Sequence, residues 1–142
     1  MYISTQMSYN QFLLNLEANK IYETIAAERI CELNNVSVLN TSDNADYDFQ
    51  TSDNLTYEIK ADHLVLKTGN FFIEFYGYGR PSGISISLSN YYILTDTLYF
   101  FLIPTDKLKQ LVENCEIKHT ANGSTSGYII NRYFIVKNSV CI

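Results

Sequence analysis

From about Asn10 to Leu33 apolar residues recur at helical spacing, with Phe12, Leu13 and Leu16 in one set and Ile21, Ile25, Ala26, Ile30 and Leu33 in the next. The pattern predicts one long helix, and Asn34-Asn35 reads as its stop. "VSVL" then reads as a short strand, and "NTSDNAD" as a loop by its Asn, Ser and Asp content. After that the period drops to two. "DYDFQ" and "LTYEIKA" alternate on either side of "TSDN", which is a hairpin signal. "NFFIEFYGY" is apolar on both faces apart from Glu74, so it is expected at the centre of the sheet. "GRPSGISISLSNYY" opens on turn residues and continues as an irregular or helical segment, and "DTLYFFLIP" reads as another buried strand. "TDKLKQLVEN" predicts a helix capped by Thr105 or Asp106 with Leu108, Leu111 and Val112 facing inward. "SGYIINRYFIVK" predicts one or two closing strands. This order of elements predicts a mixed α/β fold.

Composition agrees with a packed globular chain. The 142 residues suit one domain, residues 1–142, with a core that needs no disulfide or metal staple. Hydrophobic residues make up 46% and charged residues 18%, and the aromatics are twelve Tyr and eight Phe. The start, "MYISTQMSYNQFLLNLEANK", lacks the basic region, apolar block and cleavage site of a signal peptide, and no segment reaches the apolar length of a membrane span. Cys31, Cys115 and Cys141 are odd in number and widely spaced, which suggests neither a disulfide framework nor a thiolate zinc site. They are expected as small buried hydrophobes in a reducing cytoplasm.

Charge complicates any nucleic-acid reading. The net charge of −5 opposes non-specific phosphate binding. Its distribution is uneven: residues 1–59 carry two basic and nine acidic residues, and residues 60–142 carry eight basic and six acidic, so the halves stand at −7 and +2. A carboxylate-rich half beside a mildly basic one could present a cation and a phosphate to each other, although solubility alone also accounts for it.

The hairpin concentrates the candidate chemistry. Strand alternation puts Asp46 and Asp48, and then Glu58, Lys60 and Asp62, each on one face of its own strand. A turn centred on Asp53 sets opposite one another residues whose numbers sum to 106, which pairs Asp48 with Glu58 and Asp46 with Lys60. Two opposed carboxylates destabilise a sheet unless something neutralises them. A hard cation such as magnesium does so. Lys60 beside it is placed to position or deprotonate a water, or to stabilise charge on a scissile phosphate. A solvated hairpin face in which Lys60 offsets its neighbours accounts for the same pattern.

At these residues the chain resembles the PD-(D/E)XK nuclease superfamily, through Asp48 followed after a turn by "EIK", Glu58 to Lys60. The likeness runs on through "TGN", an "IE" strand, "PSGI" and "YY", and resembles small phage or viral endonuclease-like members over roughly residues 20–115. It implies a restriction-endonuclease-like α/β fold, with a mixed central sheet flanked by helices. It also implies Asp48 and Glu58 as ligands of Mg2+ or Mn2+, Lys60 as the catalytic lysine, and an assisting acid on the first helix. Glu23 matches that acid best, with Glu28 as the alternative. "ADYD" replaces the nominal Pro-Asp, which leaves Asp46 as a competitor to Asp48. The activity implied is cleavage of DNA in phage or viral DNA processing, recombination or repair, in the host cytoplasm if the chain is viral, with RNA left open as substrate. A homodimer is one way so few basic residues could build a sufficient binding surface. The alternative is a catalytically inactive nuclease-fold protein that binds nucleic acid or a protein partner.

Weaker candidates surround this set. Lys67, Arg80 and Ser82, with Gly83, are candidate phosphate contacts, each also explained by solvation or an ordinary turn. Glu74 is a candidate outer ligand. Tyr91 and Tyr92 are candidates for base stacking, with core packing the simpler reading. His63 and His119 lack metal spacing, and "GSTSG" is too short for a P-loop.

Overall fold

The computed structural model describes residues 9–41 and 47–142, with side chains in the first helix described from Glu17 onward. The described residues form a mixed α/β fold: α1 (Tyr9–Asn34), β1 (Val38–Thr41), β2 (Phe49–Thr51), β3 (Thr56–Ala61), α2 (Val65–Thr68), β4 (Asn70–Gly77), β5 (Arg80–Pro81), a 3-10 turn at Gly83–Ser85, β6 (Tyr91–Thr95), β7 (Phe100–Pro104), α3 (Thr105–Val112), β8 (Glu116–His119), β9 (Thr125–Asn131), α4 (Arg132–Asn138) and β10 (Val140–Cys141).

Two sheets are built from these strands. The larger has the order β1-β2-β3-β6-β7-β10 and the smaller β5-β4-β9-β8. In the larger sheet β3 and β6 run parallel and every other neighbouring pair is antiparallel, so the sheet is mixed. One core joins Ala26 and Ile30 of α1 to Phe49, Tyr57, Ile59, Ile93 and Phe100. Another joins Tyr92, Leu94, Phe101 and Ile103 of the larger sheet to Phe71, Ile73 and Ile130 of the smaller, with Leu108, Val112 and Ile135 from α3 and α4. Because side chains alternate along a strand, the larger sheet is the wall shared by both cores: Ile93 faces α1, while Tyr92 and Leu94 face the smaller sheet.

Local chemistry sets the element ends. Asn35 adopts φ 53°, and the Val36 N–H donates to the Cys31 carbonyl at 3.2 Å, a helix stop in which the left-handed residue lets the chain turn back. Asp62 accepts from the N–H groups of Leu64 and Phe72, each at 3.0 Å, and so ties the end of β3 to β4. Asp96 is fully buried after β6 and accepts from Leu98 N–H at 2.9 Å, Tyr99 N–H at 2.8 Å and Arg132 Nε at 2.8 Å. Burial alone would raise its carboxyl, but the Tyr99 N–H, the Arg132 guanidinium and the Leu98 N–H together hold it below the usual carboxylate value.

Several expectations change. The long helix is present, with Ala26 and Ile30 buried, but Ile21 and Leu33 are 57% and 58% exposed because the helix presents only a narrow stripe to the sheet. "NFFIEFYGY" is an interior strand of the second sheet, between β5 and β9, rather than the centre of a single one. "YYILT" is a strand, β6, where a loop was expected to run through Tyr91 and Tyr92. Residues 132–138 form α4 rather than strand, because the Asn131 side chain accepts from the Tyr133 N–H at 2.8 Å and caps it. Helix α3 begins after Pro104 with no side-chain cap, so neither Thr105 nor Asp106 plays that part. Cys31 and Cys115 are half-buried and Cys141 is exposed, so none is the fully buried hydrophobe expected. No helix among the described residues is long and apolar enough to cross a membrane.

Candidate metal centre

The β2–β3 hairpin has the register read from its turn. Phe49 pairs with Tyr57 and Gln50 with Thr56, both summing to 106, and Asn54 at φ 67° closes the turn with its N–H donating to the Thr51 carbonyl at 2.8 Å. Asp53 accepts from the Thr51 hydroxyl, which makes it turn chemistry. The ladder ends at Phe49–Tyr57, and beyond it the Asp48 N–H donates to the Tyr57 carbonyl at 2.8 Å, out of the register that would pair Asp48 with Glu58. Asp48 Oδ2 accepts from the Ile59 N–H at 2.7 Å, so the side chain takes a backbone donor just where the β2–β3 pairing ends. That bond holds the Asp48 carboxylate within electrostatic reach of Glu58.

Glu58 registers the crowding. Its carboxyl is pushed up to about 8, first by burial, then by the Asp48 charge and by the hydrogen bond to Asp48. Lys60 pulls in the opposite direction and Glu23 adds a further push, so both lie within electrostatic reach of Glu58. Near neutral pH, then, the Glu58 carboxyl holds its proton. Lys60 itself is exposed, beside Leu94 of β6, while Glu23 is half-buried on α1 and Glu28 is exposed.

The structure therefore brings Asp48, Glu58, Lys60 and Glu23 into one neighbourhood. Asp46 lies outside the described residues. Lys67 is exposed on α2 and Arg80 is exposed on β5. The Ser82 hydroxyl donates to Glu74 Oε2 at 2.7 Å, so its proton is already committed within the fold. Gly83 is required here: at φ 53° a Cβ would stand 2.2 Å from the Glu74 carbonyl oxygen, so the loop crosses β4 closer than any other residue permits. His63 packs its ring 5.8 Å from that of Tyr22, the residue before Glu23 on α1, and His119 Nδ1 lies 2.6 Å from Ser126 Oγ across the β8–β9 ladder.

Tyr92 is the residue whose place the sequence hid. Its parallel register puts it directly beside Glu58, with a side chain 1% exposed and a hydroxyl that has no hydrogen-bond partner. Burial raises its phenol above the ordinary value; the nearby Ser87 hydroxyl lowers it in part, and the charges of Glu58, Asp48 and Glu74 raise it further. Tyr91 is half-buried and stacks its ring on Tyr57 at 5.5 Å. Core packing accounts for the Tyr92 ring, which is closed to base stacking.

No group of three or more His, Cys, Asp and Glu side chains arranged to hold a metal occurs among the described residues, so the donor set is the pair Asp48 and Glu58. The pair suits a hard divalent cation. Both donors are carboxylate oxygens, and the charge conflict now relieved by a proton is one a cation relieves more fully; magnesium commonly takes only one or two carboxylates and keeps waters. No protein-family model matches the chain, and no curated protein matches it.

Proposed function

We propose that this chain is a magnesium- or manganese-dependent nuclease that hydrolyses phosphodiester bonds in DNA, on a restriction-endonuclease-like arrangement of its mixed sheet. The observation that carries the reading is the facing of Asp48 and Glu58 across the end of the hairpin with Lys60 two residues further along β3. Asp48 and Glu58 would hold the cation, which when bound supplies Lewis-acid charge and lowers the pKa of a coordinated water. The Lys60 ammonium orients the attacking water and stabilises negative charge as oxygen attacks phosphorus and the opposite P–O bond breaks. Glu23 contributes a further carboxylate at the edge of the same neighbourhood. Exposed Lys67 and Arg80 are the cations available to flanking phosphates, while Ser82 braces Glu74.

The second reading, a catalytically inactive nuclease-fold protein that binds nucleic acid or a protein partner, draws support from the net charge of −5, which weakens attraction to phosphate. Incubating the protein with duplex, branched and single-stranded DNA and with RNA, in magnesium or EDTA, beside Lys60→Ala, separates the two. Cleavage dependent on magnesium and reduced at least about 100-fold in Lys60→Ala is expected. Absence of cleavage on every substrate, or equal cleavage by the variant, would rule out the mechanism.

A further inference from the structure

Among the described residues, the Tyr92 hydroxyl is the one buried side-chain oxygen or nitrogen without a hydrogen-bond partner. Leaving such a group unsatisfied destabilises the fold, and folded proteins rarely do so without a reason. The Ser87 hydroxyl is close enough to lower the Tyr92 phenol but makes no full hydrogen bond with it. Ser87 Oγ lies 2.8 Å from Ser89 Oγ, and Ser89 Oγ lies 3.4 Å from Thr105 Oγ1. Glu74 Oε2 accepts from Ser82. Glu58 differs from these, because it is the direct cross-strand neighbour of Tyr92 in the parallel pairing of β3 with β6.

Carboxylates that ligate metals are themselves held by outer donors that fix their orientation. The phenol O–H can supply one such bond, and the parallel pairing of β3 with β6 has already placed it on the same face of the sheet.

We propose that Tyr92 is a positioning residue of the Asp48–Glu58 centre, its hydroxyl donating to the Glu58 carboxylate in the cation-bound state. The inference rests on the cation reading given under Proposed function and adds to it the group that orients one ligand. In the cation-free protein the hydroxyl waits without a partner, and cation binding satisfies it.

Tyr92→Phe removes the oxygen and keeps the ring. Thermal denaturation in EDTA, followed by calorimetric titration with Mn2+, is to be run on the wild type, Tyr92→Phe and Tyr128→Phe, the last a tyrosine of the smaller sheet outside the centre. Three results are expected together: Tyr92→Phe melts in EDTA at or above the wild-type temperature, it binds Mn2+ about 10- to 100-fold more weakly, and Tyr128→Phe binds as the wild type does. Equal Mn2+ affinity in Tyr92→Phe overturns the inference and leaves the cation reading standing. A lowered melting temperature in EDTA also overturns it, because the hydroxyl would then be making a structural bond in the cation-free protein. If Tyr128→Phe weakens binding as much, the effect is not local to Glu58 and the inference fails as well. A wild-type protein that takes up no Mn2+ removes the cation reading itself and this inference with it.

Discussion

At the scale of single residues, Glu58 sets how the cation-free protein responds to pH. Its carboxyl stands at about 8 in the folded chain against an ordinary 4.5, so between those values the folded state holds a proton that the unfolded state has released. A carboxyl raised in this way contributes stability that is complete below 4.5 and is lost as pH rises toward 8. In EDTA, the urea midpoint of the wild type should therefore fall relative to that of Glu58→Gln between about pH 5 and about pH 8. A difference between the two proteins that stays constant over that range would show that Glu58 does not hold its proton as described. The hairpin register was legible in the sequence, because strand alternation and a short turn reduce it to arithmetic, and the arithmetic holds at Phe49–Tyr57 and Gln50–Thr56, although the ladder stops before Asp48 and Glu58. Tyr92 was not legible, since nothing in "SNYYILT" marks which of two adjacent tyrosines faces Glu58.

Secondary-structure elements were legible where one face meets water and obscure elsewhere. Helix α3 buries Leu108 and Val112, with Leu111 half-buried, as its spacing indicates. Strand β6 runs through Tyr92, Ile93, Leu94 and Thr95, all buried, so it carries no alternation by which to separate it from the preceding loop. At the other extreme, β8 and β10 are exposed throughout and offer no apolar pattern at all. Helix α4 was hidden differently. The alternation of β9 continues past Asn131, and α4 buries Ile135 alone, so the helix depends on its start rather than on an apolar stripe. That start is held by the Asn131 cap, by the Arg132 N–H donating to the Gly69 carbonyl at 2.9 Å, and by the Arg132–Asp96 pair. Asn131→Ala should lower unfolding free energy by about 1 kcal/mol, and Asn131→Ser or Asn131→Asp should restore most of it. An alanine variant with an unchanged denaturation midpoint would mean that the Arg132 contacts alone fix the helix.

For the whole molecule, the proposed nuclease activity requires a chain of net charge −5 to hold DNA. Lys60, Lys67 and Arg80 are the three candidate cations toward phosphate, all exposed. If one copy of the chain makes about three phosphate contacts, affinity should fall roughly 40-fold between about 50 and about 200 mM salt, since the logarithmic slope is near −0.9 per contact. A homodimer that presents two such sets to one duplex doubles the slope and loses roughly 1,800-fold over the same range. Binding isotherms at several salt concentrations, with sedimentation of the complex, therefore read the number of copies engaged and the number of cations used together. Replacing Lys67 or Arg80 by Gln should flatten the slope by about one contact per copy while weakening binding to all sequences alike. A slope near zero would sink this account of the contacts. The −7 half of the sequence would then dominate the surface that DNA meets, and the three cations would have to be assigned to folding and solubility instead of to phosphate.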